Sequence, residues 1–218
     1  MIRGAIFDLD GTLLDSMGIW DTLGEEYLRS LGLEPKEEWK QAFQTFTLEQ
    51  AARYCREHCG VALSVEEIVD GINHMAAEHY SKTIPLKPGA AEFLRKLKEH
   101  GVGMCVATVT DRPLAQAALE RTGIRGYFSE IFTAASVGHG KDEPDIYRAA
   151  LRHLGTGKAE TVVFEDAFYA LETAKADGFV TAAVFDAYEG NQAGLKAAAD
   201  YYMESYSDWS GFWRRMSQ

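Results

Sequence analysis

Ile2-Arg3-Gly4-Ala5-Ile6-Phe7-Asp8-Leu9-Asp10-Gly11-Thr12 is the stretch that decides the fold. A short, largely apolar run ends abruptly in two acids and a glycine. Such a run, without polar alternation, suits a strand buried on both faces, the setting of a parallel sheet. Acids at i and i+2 leave a strand end on the same side, and Gly11 permits a tight turn. Four comparable runs occur much later: Val102 to Ala107, Ile131 to Ala134, Thr161 to Phe164 and Val180 to Phe185. Helical patterns separate them: Ala90 to His100, Arg112-Pro113 to about Thr122, Pro144-Asp145 to about Leu154, and Ala167 to Asp177. Proline near the start and glycine past the end (Gly101, Gly123, Gly155, Gly178) is the expected asymmetry of helix boundaries. The alternation predicts right-handed βαβ units, an α/β fold with helices on both faces of a parallel sheet.

The stretch from about Asp15 to Leu86 breaks this rhythm and reads as helices: Ile19 to Leu31, about Lys36 to His58, and Val65 to Lys82. Thr83 to Gly89 reads as the linker back. The expected division is a core of residues 1–14 and 87–218 with a helical cap of residues 15–86. An insert placed after the first strand of a parallel sheet is expected over the carboxyl ends of the strands, where open α/β folds bind ligands. The aromatic tail, Tyr201 to Trp213, is expected to pack the last helix on the sheet.

Composition narrows the function. Of 218 residues, 46% are apolar and 25% charged, which sets aside disordered and low-complexity classes. With 22 basic against 33 acidic residues the net charge is −11, so nucleic acid and anionic membrane are not expected partners. An anionic substrate would need a local island of positive charge. No apolar run has bilayer length, and Asp8 interrupts the amino-terminal run before a signal-peptide core could form. A cytoplasmic protein is expected. Three cysteines make no disulfide framework; Cys55 and Cys59, four apart on a helix with His58 between them, read as packed thiols rather than a zinc site.

Four separated clusters fall at carboxyl ends of the expected strands, so they share one face of the sheet. They are Asp8-Leu9-Asp10-Gly11-Thr12, Thr108-Val109-Thr110-Asp111, Lys141 with Pro144-Asp145, and Glu165-Asp166. Each alone has an ordinary reading as a strand exit, a helix cap or a surface charge. Together they carry chemistry. Asp8, Asp10 and Asp166 offer hard oxygen ligands suited to Mg²⁺. Lys141 and Thr108 offer the donors a phosphate needs.

These motifs, in this order, resemble the haloacid dehalogenase superfamily, specifically its phosphatases with a helical cap after the first strand. The resemblance spans essentially the whole chain and is nearest the β-phosphoglucomutase and phosphoglycolate-phosphatase-like branch, which also continues Leu13-Leu14-Asp15-Ser16. It implies a Rossmann-like core and a two-step phosphoryl transfer. Asp8 would be the nucleophile forming an aspartyl-phosphate, and Asp10 the general acid and then base. Mg²⁺ would be held by the Asp8 carboxylate, the Asp10 carbonyl and Asp166, with Glu165 as helper. Lys141, Thr108 and the amides near Leu9 and Val109 would stabilise the equatorial oxygens.

The resemblance implies a phosphatase acting on a small phosphorylated metabolite, with a β-phosphoglucomutase-type phosphosugar mutase as the alternative and a binding-only homologue as a third reading. The mutase branch carries a His where this chain has Trp20, an Arg near Phe46 to Glu49 where it has none, and Lys-Asn where it has Asp111-Arg112. Arg112 or Lys87 could supply a replacement grip on a second phosphate. Trp20 and Thr47 are candidate substrate contacts in the cap, with Gln50 a neighbour; packing is the ordinary account of Trp20, Phe43 and Phe46. Asp15-Ser16 is either part of the site or the first cap helix's N-cap. His139 is a candidate neighbour of Lys141. The expected assembly is a monomer or weak homodimer.

Overall fold

The computed structural model describes residues 1–43 and 46–216. The chain divides into two compact units, Met1–Asp15 with Ile84–Gln218, and Ser16–Thr83. The first holds a sheet of six strands: β1 (Gly4–Phe7), β2 (Gly103–Thr108), β3 (Glu130–Thr133), β4 (Thr161–Glu165), β5 (Val180–Val184) and β6 (Tyr201–Met203). Their order is β3-β2-β1-β4-β5-β6, and every pairing is parallel. This is the expected α/β parallel-sheet fold.

The most apolar runs take the middle of the sheet. All four residues of β1 and all five of β4 are buried. At the β3 edge, burial alternates along the strand. Phe7, the last residue of β1, pairs with Val106 on one side and Phe164 on the other, so β2 ends two residues beyond β1 and β4 one, side by side. The loops that leave these strands therefore emerge at one edge of the sheet. That registration builds the site.

The second unit is α1 (Ile19–Ser30), α2 (Glu37–Phe43), α3 (Leu48–His58) and α4 (Val65–Lys82). The single helix expected over 36–58 is two helices, with residues 44 and 45 of that span outside the described residues. Thr47 explains the restart. Its backbone is extended at φ −67°, ψ 162°, and with Gln50 it forms a reciprocal capping box that opens α3. Ser64 and Glu67 do the same for α4. Asp15 and Ser16 do not cap α1, whose N-cap is Gly18. Leu23, Tyr27, Leu28, Ile68 and Ile72 form the unit's core, with Cys55 and Cys59 inside it as free thiols. Burial pushes the Cys55 thiol up to about 12, so it stays protonated and packs as a small hydrophobe.

In the first unit, α5 (Ala90–Glu99), α6 (Arg112–Arg121), α7 (Ala134–Val137), α8 (Asp145–Leu154), α9 (Phe168–Ala176), α10 (Gln192–Ala198) and α11 (Trp209–Met216) accompany the strands. The aromatic tail does more than the sequence suggested. Tyr201–Met203 is the sixth strand, and α11 turns Phe212 onto Phe164 at a centroid distance of 5.5 Å. The chain's exit and return segments are tied to one another. Asp15 N–H donates to Pro85 O at 3.0 Å, Lys87 N–H to Leu13 O at 2.9 Å, and Leu14 bridges Leu86 antiparallel.

Candidate active site

Asp8 comes directly after β1, and its amide donates to Phe164 O at 3.0 Å, which continues the ladder one residue past the strand. The chain then turns tightly. Leu13 and Leu14 amides both donate to Leu9 O, and Gly11 N–H donates to Leu14 O. Gly11 has φ +76°, a left-handed conformation open to glycine at little cost. The turn brings the Thr12 hydroxyl to Asp166 Oδ1 at 2.7 Å, joining the end of β1 to the end of β4.

Lys141 is the centre of charge. Its side chain is 3% exposed, and its ammonium bonds Asp8 Oδ1 and, at 2.7 Å, Glu165 Oε1. One ligand oxygen from each of Asp8, Glu165 and Asp166 lies within 4.8 Å of the others. Three buried carboxylates face one ammonium, so negative charge is in excess inside the protein. Burial is the largest influence on each acid. It raises Asp8 above the ordinary carboxylate range against the pull of Lys141, lifts Glu165 to about 7, and holds Asp166 well above that ordinary range, with Asp8 and Glu165 adding repulsion. Lys141 stays charged because Asp8 and Glu165 outweigh its own burial. An uncompensated group of hard oxygens in a buried niche fits a small divalent cation better than it fits an empty core.

The second cluster sits at the end of β2, beside β1. Thr108 is fully buried, and its Oγ1 accepts the Thr110 amide at 3.0 Å. The Thr108 hydroxyl hydrogen meets no acceptor among the described residues. The Thr110 hydroxyl donates to Asp10 Oδ2. Leu9 is buried, and its amide bonds the Asp8 carboxylate; Val109 is exposed at the rim.

Lys141 thus bonds Asp8 and Glu165, Thr12 bonds Asp166, and the three carboxylates lie together, while Asp10, Thr110 and Thr108 form a second bonded group at the end of β2. Trp20 and Thr47 lie in the helical unit. Trp20 is 47% exposed and, with Phe43, Phe46, Leu48 and Ile72, lines a cavity of about 240 Å³ within it. Thr47 and Gln50 are engaged with each other in the capping box. His139 is exposed, and Asp145 is the first residue of α8. Neither cation suggested as a second phosphate grip is at liberty. Lys87 pairs with buried Asp186 at 2.7 Å, and Arg112 with Glu130 at 2.8 Å and with Ile131 O.

Four contributors have no signal in the sequence. Thr12 and Thr110 stand in the first two clusters without a role, because their partners are 154 and 100 positions away. Tyr147 donates to Glu165 from α8, and Tyr206 donates to Thr12 O at 3.1 Å from the aromatic tail.

The family model for haloacid dehalogenase-like hydrolase matches residues 5–184. Hexitol phosphatase A of Escherichia coli (strain K12) is 31% identical over 158 residues, covering 70% of this chain and 69% of that protein. Protein CbbY of Cereibacter sphaeroides is 29% identical over 166 residues, covering 71% of each chain. The crystal structure of a Thermotoga maritima protein named for β-phosphoglucomutase matches with a TM-score of 0.87, over 98% of this chain and 99% of that one. At 23% identity, that likeness is one of fold.

Proposed function

The chain belongs to the haloacid dehalogenase-like hydrolases, and from that footing we propose that it is a phosphatase hydrolysing a small-molecule phosphate monoester through an aspartyl-phosphate on Asp8. One observation carries the reading: Lys141 joins Asp8 to Glu165 beside Asp166, at the neighbouring ends of β1 and β4.

The Asp8 carboxylate attacks phosphorus while the bond to the leaving oxygen breaks. Asp10, steadied by Thr110, gives that oxygen its proton. Asp10 then takes a proton from water as the water attacks the aspartyl-phosphate, which releases phosphate and restores both acids. Lys141, the Thr108 hydroxyl and the Leu9 and Val109 amides stabilise the equatorial oxygens. Asp8, the Asp10 carbonyl and Asp166, with Glu165, would hold Mg²⁺, which neutralises phosphate charge and orients the displacement when bound.

Hydrolysis is favoured over mutase action by the same geometry. A mutase must hold the distal phosphate of a bisphosphate, and Lys87 and Arg112 are committed to Asp186 and Glu130. The relative named hexitol phosphatase supports a phosphorylated sugar-like leaving group. Residues 16–83 are proposed as the cap that selects it, and a cytoplasmic setting is proposed with it. The test is phosphate release across a panel of phosphomonoesters with Mg²⁺ and with chelator. Chelator-sensitive release is expected, and β-glucose 1-phosphate, if accepted, should yield glucose and phosphate. Efficient formation of glucose 6-phosphate, stimulated by glucose 1,6-bisphosphate, would reverse the choice.

A further inference from the structure

Tyr147 heads the large side chains that solvent does not reach, and the proposed phosphoryl transfer makes no use of it. It stands on α8 among Ile6, Ala107, Ala150, Val163 and Phe179, a lining that would suit phenylalanine. A buried hydroxyl is tolerated in such a place when it is bonded. The phenol lies 2.7 Å from Glu165 Oε1 and 3.3 Å from Ala170 O. It has one hydrogen to give, and the nearer carboxyl oxygen takes it. Lys141 Nζ reaches the same Oε1 at 2.7 Å. Glu165 therefore carries both donors on one oxygen, and its Oε2 accepts from no described residue.

We propose that Tyr147 is a positioning residue for the cation site: by anchoring Glu165 through Oε1, it reserves Oε2 for a divalent cation, or its bound water, alongside Asp8 and Asp166. The inference rests on reading that trio as a cation site. Without the phenol, Lys141 alone would orient Glu165. Both carboxylate oxygens could then turn to the ammonium, and Lys141 would be drawn from Asp8. Tyr147 prevents that by occupying the second position at Oε1.

Tyr147→Phe removes the hydroxyl and keeps the ring. Binding of Mn²⁺ to the full-length, metal-free protein, read by the electron paramagnetic resonance of the free ion, tests the proposal. The dissociation constant is expected to rise ~10-fold, the low end of the ~10–100-fold typical of outer-shell partners. In Glu165→Gln the cation oxygen is already compromised, so adding Tyr147→Phe should weaken binding no further. Unchanged Mn²⁺ affinity with a lowered metal-free melting temperature would overturn the proposal and make the phenol a staple between α8 and Ala170. Fully additive losses in the double variant would overturn it too. Wild-type protein that binds no Mn²⁺, indistinguishable from Asp166→Asn, would bring down the cation-site reading and this proposal with it.

Discussion

Asp166 occupies the space into which a side chain on residue 11 would project: a Cβ built on Gly11 falls 2.6 Å from Asp166 Cγ and closer still to Oδ2. The turn after β1 and the end of β4 are therefore fitted to each other through a missing methyl group. Thr12 completes the fit by bonding Asp166 Oδ1.

Gly11→Ala should fail twice over. The left-handed backbone costs a non-glycine residue roughly 1–3 kcal/mol, and the new methyl displaces a proposed metal ligand. Urea denaturation should show the first effect and weakened Mn²⁺ binding the second. A variant of wild-type metal affinity would mean that Asp166 can move without consequence.

Lys141→Met should destabilise the metal-free protein by about 3–5 kcal/mol, the usual result of removing one partner from a buried ion pair. Asp8 and Glu165 would then face each other without counter-charge. Adding Asp8→Asn should restore part of the loss while phosphate release stays abolished. Urea midpoints of the single and double variants decide it. A double variant less stable than Lys141→Met would contradict the charge argument.

Thr110 should matter through Asp10. Thr110→Val removes the donor to Asp10 Oδ2, and Thr110→Ser keeps it. Alkyl phosphates, whose leaving oxygen needs a proton, should slow more than nitrophenyl phosphate in Thr110→Val, and Thr110→Ser should recover most of the rate. Asp10→Asn should show the same split in stronger form, up to the ~10²–10⁴-fold typical of general acid–base help. Equal slowing of both ester types would remove Asp10 from the acid role.

Asp177 should set part of the acid stability. Arg148 grips it at two points, Nε to Oδ2 at 3.0 Å and Nη2 to Oδ1 at 2.5 Å, and Lys158 Nζ adds Oδ2 at 2.8 Å. The guanidinium bonds, outweighing burial, hold its carboxyl below the usual range. The unfolded chain then takes up this proton at higher pH than the folded one. The stabilisation is whole above about pH 4 and is lost as pH falls through the folded value. Asp177→Asn should flatten the stability curve below about pH 4. An unaltered slope in urea melts there would show that the pair contributes nothing.

β1, β2, β4 and β5 were legible because burial on both faces leaves a run of apolar residues, β3 because its short apolar run falls at the expected spacing, and the helices between them because proline, glycine and capping chemistry act locally. β6 was not legible. Three residues, two of them half-buried tyrosines, carry no period that separates a strand from a packed tail. The break between α2 and α3 was written in Thr47-Leu48-Glu49-Gln50, a capping box that went unread inside the single helix expected over 36–58.

Sequence by itself determined which groups stood at the carboxyl ends of the strands, since the apolar run that makes each strand and the polar residues that follow it are written side by side. Only tertiary structure decided who touches whom. Lys141 meets Asp8 across 133 positions, and Thr12 meets Asp166 across 154. Whether Lys87 and Arg112 were open to a second phosphate depended on Asp186 and Glu130, which other segments deliver. Tyr147 could as well have been an ordinary core ring. A hydrogen bond is specified by distance and angle between atoms that the chain brings together last, so its partner is settled by packing and not by neighbours in sequence.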